Sequence, residues 1–330
     1  MMPREELSRW LADPQAQNAT TDRLAHVSGR LKALPFVQRL RSEIEALNQP
    51  GADFVLGCAQ RAMDDEQGLG EIFTCLIEAA AADPYFRPSL RSLASEIHTG
   101  ILLFDTAELT LFISVMPAES LAAKRRSRDG RRSIVFPGSQ SLYKFIRSGG
   151  ATFSFWEAPP IEDGFTAAQS GRCSLVERRR IADGELIKVD GRTQSFVIEH
   201  ARGDLVYLQA ISSADRAPLT VEFDSDTFEY VGSSSTDEIS SRTQMMLSLL
   251  RTMERVDAVP VMIDMLGNPH FYARWQAMRE LLALDAQAAL PHLADMAEKD
   301  PHPEVRAAAA ATLHAISGAD AERELELEAN

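Results

Sequence analysis

The sequence predicts an α+β protein: a central antiparallel β-sandwich or barrel, flanked by an N-terminal helical segment and a C-terminal helical array. Three observations carry this. Residues 101–231 are a succession of short runs rich in Val, Ile, Phe and Tyr, cut by turn pairs such as Gly149-Gly150 and Asp190-Gly191. Regular turn signals with no helix-length segment between them favour antiparallel pairing over a parallel βαβ sheet. On both sides of this block apolar residues recur at helical spacing, and two segments near the C-terminus repeat one another.

In chain order, residues 3–13 form a short amphipathic helix with Leu7, Trp10 and Leu11 on one face, stopped by Asp13-Pro14. A second helix is expected to start at the cap-like cluster Thr20-Thr21-Asp22 and to carry Leu24, Val27, Leu31 and Leu34 before Pro35 breaks it. Val37, Leu40, Ile44 and Leu47 continue the period, and further helices follow over 52–62, 70–82 and 88–97. The β block then offers about ten short strands. In one of them Leu109, Leu111, Ile113 and Val115 alternate as in a half-buried strand. Residues 124–132 form a basic loop, and 232–238 form a Ser-rich linker into a strong helix over 239–256. The chain thus divides into 1–98 (helical), 99–232 (β), 239–318 (helical array) and an acidic tail, 319–330, expected to fray.

Composition narrows the function classes. The length of 330 residues allows two or three domains, and 45% hydrophobic content supports a sizeable core. A net charge of −14 disfavours nucleic acid and anionic membrane surfaces as partners. Cys58, Cys75 and Cys173 form no Cys-x-x-Cys pair, and their odd number does not build a secreted disulfide framework. No apolar signal segment opens the chain, and no apolar run approaches the roughly 20 residues of a membrane span. These points lead to the expectation of a cytoplasmic protein with no membrane partner.

The repeat is specific. Ala258, Pro260, Asp264 and Met265 match Ala289, Pro291, Asp295 and Met296 at a period of 31. After one inserted residue, Pro269, His270, Arg274, Ala277, Leu281 and Ala283 match Pro301, His302, Arg306, Ala309, Leu313 and Ala315 at a period of 32. The second copy, Asp300-Pro-His-Pro-Glu-Val-Arg306 followed by an Ala-rich run, resembles the HEAT repeat family, whose turn reads Asp-Pro before a Val-Arg-x-x-Ala-Ala helix. The first copy departs from that pattern, with Asn268 for the Asp and Ala273 before Arg274. The resemblance spans about residues 257–318 and, more weakly, the helix before them. It implies stacked helix pairs and a protein partner docked on them. It also implies that Arg274 and Arg306 are structural, pairing with a turn Asp or a free carbonyl of a neighbouring repeat, and unevenly so, since Asp300 has only Asn268 as its counterpart. His270 and His302 are expected to serve hydrogen bonding where each second helix begins.

A second resemblance lies in the β block. The run Gly184-Glu-Leu-Ile-Lys-Val-Asp-Gly-Arg-Thr-Gln-Ser-Phe196 looks like the second half of a cupin jelly roll. Asp190-Gly191 takes the place of the family's Pro-Gly turn, and Gln194 stands where a metal-binding His is usual. The first cupin motif needs His-x-His, because imidazoles on one strand face share one metal, and this chain has none. The resemblance therefore implies a jelly roll without the usual metal site and with no cofactor.

Candidate residues follow. Gln194, His200, Phe153, Phe155 and Trp156 would line a ligand site in the β block. His98 and His200 are the histidines in or beside that block and the only ones there that could form a degenerate metal pair; a satisfied or solvated role is the simpler reading. Lys124, Arg125, Arg126, Arg128, Arg131 and Arg132 offer an anion or acidic-partner patch, weighed against an ordinary solvated hairpin tip. No phosphate-binding glycine motif and no Gly-x-Ser-x-Gly occurs. Two functions compete: a non-catalytic binding, regulatory or scaffolding protein whose β domain takes a small ligand or peptide, open to homo-oligomers, or a cupin-type oxygenase or isomerase with a non-standard metal site.

Overall fold

The computed structural model describes residues 4–46, 48–88, 90–126, 133–160 and 164–328. The chain forms two compact units. The first comprises Met1–Pro160, Arg172–Arg216 and Glu222–Glu229; the second comprises Ile161–Gly171, Ala217–Val221 and Tyr230–Asn330.

The first unit opens with five helices: α1 (Arg4–Leu11), α2 (Pro14–Ala33), α3 (Pro35–Glu45), α4 (Ala52–Asp64) and α5 (Glu66–Ala82). Pro14 sits in the first turn of α2, and the Asp13 carboxylate caps it by accepting the Gln15 and Ala16 amides. The cluster Thr20-Thr21-Asp22 is therefore not a helix start; it lies inside α2, where the Thr20 hydroxyl donates to Asp83 at 2.7 Å. Val27, Leu31, Phe36, Leu40, Ile44, Val55 and Ile72 form the helical core. The expected helix over 88–97 is replaced by a short strand, β1 (Ser92–Ala94), and a turn. Pairing of Ser92–Ala94 with the next strand overrides the local helical pattern.

Eleven strands follow β1: β2 (Thr99–Asp105), β3 (Leu109–Met116), β4 (Ser133–Phe136), β5 (Gln140–Arg147), β6 (Thr152–Glu157), β7 (Ser174–Arg180), β8 (Leu186–Asp190), β9 (Gln194–His200), β10 (Leu205–Ser212), β11 (Leu219–Asp224) and β12 (Tyr230–Ser235). A nine-residue helix, α6 (Ala118–Arg126), interrupts the block after β3 and takes in the start of the expected basic loop. Asp204 caps it by accepting the Ala118 amide at 2.9 Å.

The pairing of β3 to β10 defines the fold. β3 pairs with β10, β5 with β8, and β6 with β7, all antiparallel. β4 lies against β9, where the Ser195 hydroxyl donates to the Val135 carbonyl. Numbered along the chain, the first of these eight strands meets the last, the second the seventh, the third the sixth and the fourth the fifth. That is one long hairpin rolled into two facing sheets, the jelly roll. Further pairing of β10 with β5 and of β9 with β6 closes each sheet. The turns Pro137-Gly138 and Asp190-Gly191 meet at one end, with Gly138 N–H donating to the Gly191 carbonyl and Gly191 N–H to that of Ser139.

The larger sheet is covered on both faces. Tyr143, Phe145, Leu205 and Tyr207 point into the sandwich, while Leu142, Leu208 and Ala210 pack on the N-terminal helices. β3 is accordingly not half-buried: Leu109 and Leu111 face the helices, and Phe112 and Met116 are buried as well.

In the second unit β12 lies beside β11. It takes in most of the expected Ser-rich linker. Then come α7 (Glu238–Thr252), α8 (Val259–Asp264), α9 (Phe271–Leu284), α10 (Ala286–Lys299) and α11 (Pro303–Glu328). The final helix runs through most of the segment expected to fray. Met262, Ala277, Met278, Leu281, Ala289, Leu293, Val305 and Ala309 form their shared core, in which small Ala faces let helices approach closely. Arg274 and Asp300 make a buried two-pronged ion pair through Nε and Nη2, at 2.8 and 2.7 Å. The uneven pairing of the two arginines is present, with the acid going to the first copy: Arg306 donates to the backbone carbonyls of Asp300 and Pro301.

Candidate functional site: a groove on the helical repeats

The second unit carries a groove of about 420 Å³ walled by β12, α7, α9 and α11. Helical spacing sets its main wall. Phe271, Tyr272, Trp275 and Gln276 stand at i, i+1, i+4 and i+5 of α9, so they share one face. Gln244 of α7, Ser235 of β12, and Glu304 and Val305 of α11 complete it.

The aromatic wall is held from several sides. The Ser235 hydroxyl is 2.9 Å from the Tyr272 hydroxyl. Behind Phe271 the buried His302 ring stacks at 3.8 Å between centroids and 6° between planes. His302 Nε2 lies 3.3 Å from the Phe165 carbonyl, which can only accept, so that nitrogen carries the proton. His302 Nδ1 is buried without a partner among the described residues. The Glu304 carboxylate accepts the Ala167 amide at 2.6 Å, fixing one oxygen of the acidic rim. The expected hydrogen bonding at the starts of the second helices is made by the backbone: His270 and His302 donate their amides to the side chains of Asn268 and Asp300. Burial raises the Asp300 carboxyl, but the Arg274 hydrogen bonds and the His302 amide outweigh it and hold the group below the usual carboxylate range.

Chemically the groove offers aromatic faces flanked by two amide side chains, hydroxyls and one carboxylate. Amides can both donate to and accept from a peptide backbone, and aromatic faces bury apolar side chains. Nothing in this set is an activated nucleophile.

The residues singled out in the β block fall in separate places. Phe153 and Phe155 lie together in the sandwich interior, with Phe196 5.1 Å from Phe153 and the Arg179 guanidinium 4.8 Å above Phe155. Trp156 instead packs on Phe228 at 5.3 Å. Gln194 opens β9 and its side-chain carbonyl accepts the Asp190 amide, while His200 ends the same strand, exposed and opposite Thr152. His98 sits in the β1–β2 turn, 2.8 Å from the Ser95 hydroxyl; burial, aided by the Lys124 cation, pushes it below the ordinary imidazole value. Among the described residues no three His, Cys, Asp or Glu side chains are grouped to hold a metal. Of the basic patch, Lys124 is exposed near the end of α6. The side chains of Arg125 and Arg126, and all of Arg128, Arg131 and Arg132, lie outside the described residues.

The groove escaped the sequence reading because its walls come from segments some 70 residues apart. One local signal existed: Phe271, Tyr272 and Trp275 crowd one helix in an otherwise Ala-rich repeat. Among the described residues no helix is long and apolar enough to cross a membrane.

Comparison with known proteins adds the following. Solved structures similar to part of the chain include KdgF from Halomonas sp., at 11% identity over 37% of this chain and 86% of that one, TM-score 0.22. The DMSP lyase DddQ from Ruegeria pomeroyi is 10% identical over 44% of this chain and 63% of that one, TM-score 0.24. A cupin domain from Bordetella pertussis is 10% identical over 37% of this chain and 99% of that one, TM-score 0.21. The jelly-roll assignment rests on this chain's own strand pairing. No curated protein sequence matches. Residues 237–314 match the family of HEAT repeats, which takes in α7 to α10 and the start of α11, and with them the helical walls of the groove.

Proposed function

We propose that this protein is a binding or scaffolding protein whose HEAT-like repeats dock a segment of a protein partner in the α7–α9–α11 groove. One observation carries the reading: half-exposed Tyr272 and Trp275 converge with Gln244, Gln276 and Glu304 on a single concavity. A peptide laid there would bury apolar side chains on the rings and give its backbone to the amides. The Glu304 rim and the chain's net charge of −14 favour an uncharged or basic segment. The jelly roll serves as a scaffold in this reading, since Phe153 is fully buried and the Tyr143 hydroxyl is already engaged by Gln209 at 2.9 Å.

The test is to pan a random peptide display library on the full chain and measure the enriched peptides by fluorescence anisotropy. Trp275→Ala should weaken them about 10- to 100-fold, as expected for a central aromatic contact. Failure to enrich any peptide, or equal binding to the variant, would overturn the proposal.

A further inference from the structure

The 32-residue register of the repeat carries back one more step, onto α7. Arg274 then falls on Arg242, Ala277 on Met245, Met278 on Met246 and Leu281 on Leu249. In α9 the side chains of Ala277, Met278 and Leu281 are 0% exposed, buried in the array core. Their counterparts in α7 are as apolar but open: Met245 is 73%, Met246 63% and Leu249 57% exposed, with Ile239 and Met253 extending the stripe. The buried side of α7 is the other one, carrying Ser240 and Leu247.

The array explains the difference. α9 follows α8, and α11 follows α10, each second helix having a first helix packed on it. Among the described residues α7 is a second helix with no first helix: the chain reaches it from β12. An end of a solenoid left unstacked is normally polar; this one is methionine-rich, and Met adapts to varied partners.

We infer that the open flank of α7 is a docking surface for one amphipathic α-helix of a partner protein, laid against α7 as α8 and α10 lie in the array. The array itself supplies the template. α10 buries Ala289, Leu293 and Met296 as an i, i+4, i+7 stripe, and its 14 residues, roughly 20 Å at 1.5 Å per residue, match the 15 residues of α7. The open stripe is one helix wide, so one helix laid on it covers it as α8 covers α9 and α10 covers α11. This flank is not the groove side of α7, and the inference stands whether or not the groove binds peptide.

The experiment uses the full chain with 13C-methyl-labelled methionine and, as probe, a stapled helical peptide with the sequence of α10 (Ala286–Lys299). Titration should shift the Met245, Met246 and Met253 methyl signals and leave Met262 and Met278 in place. Met246→Glu, a change at an exposed site, should leave the unfolding midpoint unchanged and weaken the probe at least 10-fold. So should Leu293→Glu within the probe. Absence of shifts at millimolar probe, or shifts confined to the core methionines, would overturn the inference. Sedimentation of the wild-type chain as a dimer that Met246→Glu renders monomeric would also overturn it, by making a second copy the occupant.

Discussion

Replacing Arg274 with Ala should be among the most damaging single changes in the second unit. The Arg274 and Asp300 side chains are only 8% and 3% exposed. The guanidinium spends Nε and Nη2 on the two carboxylate oxygens and Nη1 on the carbonyls of Asn268 and Pro269, at 2.9 and 3.0 Å. Its removal leaves a buried carboxylate with only the His302 amide, and two carbonyls that have lost their donor. Breaking a buried pair from one side costs about 3–5 kcal/mol, because the remaining charge is stranded. Arg306→Ala removes only contacts to two carbonyls and should cost about 1–2 kcal/mol. The double change Arg274→Met, Asp300→Leu should recover part of the loss. pH provides a second axis. The folded Asp300 carboxyl titrates below its unfolded value, so the pair's contribution is complete above about pH 4 and is lost as pH falls through the depressed folded value. Guanidinium unfolding, with hydrogen exchange of α9 to α11 read by mass spectrometry, separates this unit from the jelly roll. Equal costs for Arg274→Ala and Arg306→Ala, or a loss under 1 kcal/mol for the former, would refute the argument.

Other outcomes follow from the β unit. Gly191→Ala places a Cβ 2.4 Å from the Ser139 carbonyl and 2.7 Å from Pro137 Cγ. It should cost about 1–3 kcal/mol by forcing the two end turns apart, measured as a lowered unfolding midpoint. Tyr143→Phe strands the Gln209 amide in the sandwich and should cost about 1–2 kcal/mol in the same assay. Burial pushes the Tyr143 phenol well above its ordinary value and raises that of Tyr207 too, so in an ultraviolet pH titration two tyrosines should ionise late in the wild type and one fewer in the variant. Elemental analysis of the purified protein should show no stoichiometric iron, manganese, nickel or zinc; one equivalent would revive a catalytic reading of the jelly roll.

How much of this was legible in the sequence depended on where the partners lie along the chain. Turn pairs such as Asp190-Gly191 and Gly149-Gly150 announce themselves locally, and the strands between them fell within a few residues of their expected positions. The repeat was legible because it compares the chain with itself. Long-range partners were not. α4 has no side-chain cap of its own; the Asp215 carboxylate caps it from 163 residues away by accepting the Ala52 amide at 2.8 Å. The sequence of β3 predicts a half-buried strand because nothing local reveals that helices cover its second face. The residue types of the Arg–Asp ladder and a pairing between neighbouring repeats were visible, but not that Asp300 goes to Arg274 and leaves Arg306 to backbone carbonyls. The groove needed Ser235, Gln244, Trp275 and Glu304 brought together, which only the fold does.

The central claim is that the repeats bind a partner segment through their groove. Hydrogen–deuterium exchange of the full chain, with and without a saturating library-selected peptide, tests it most directly. The account predicts slowed exchange in the first turns of α9 and α11, around Phe271–Gln276 and Glu304–Ala308, with the jelly roll unchanged. Protection confined to β3–β10 would place binding in the β unit and contradict it.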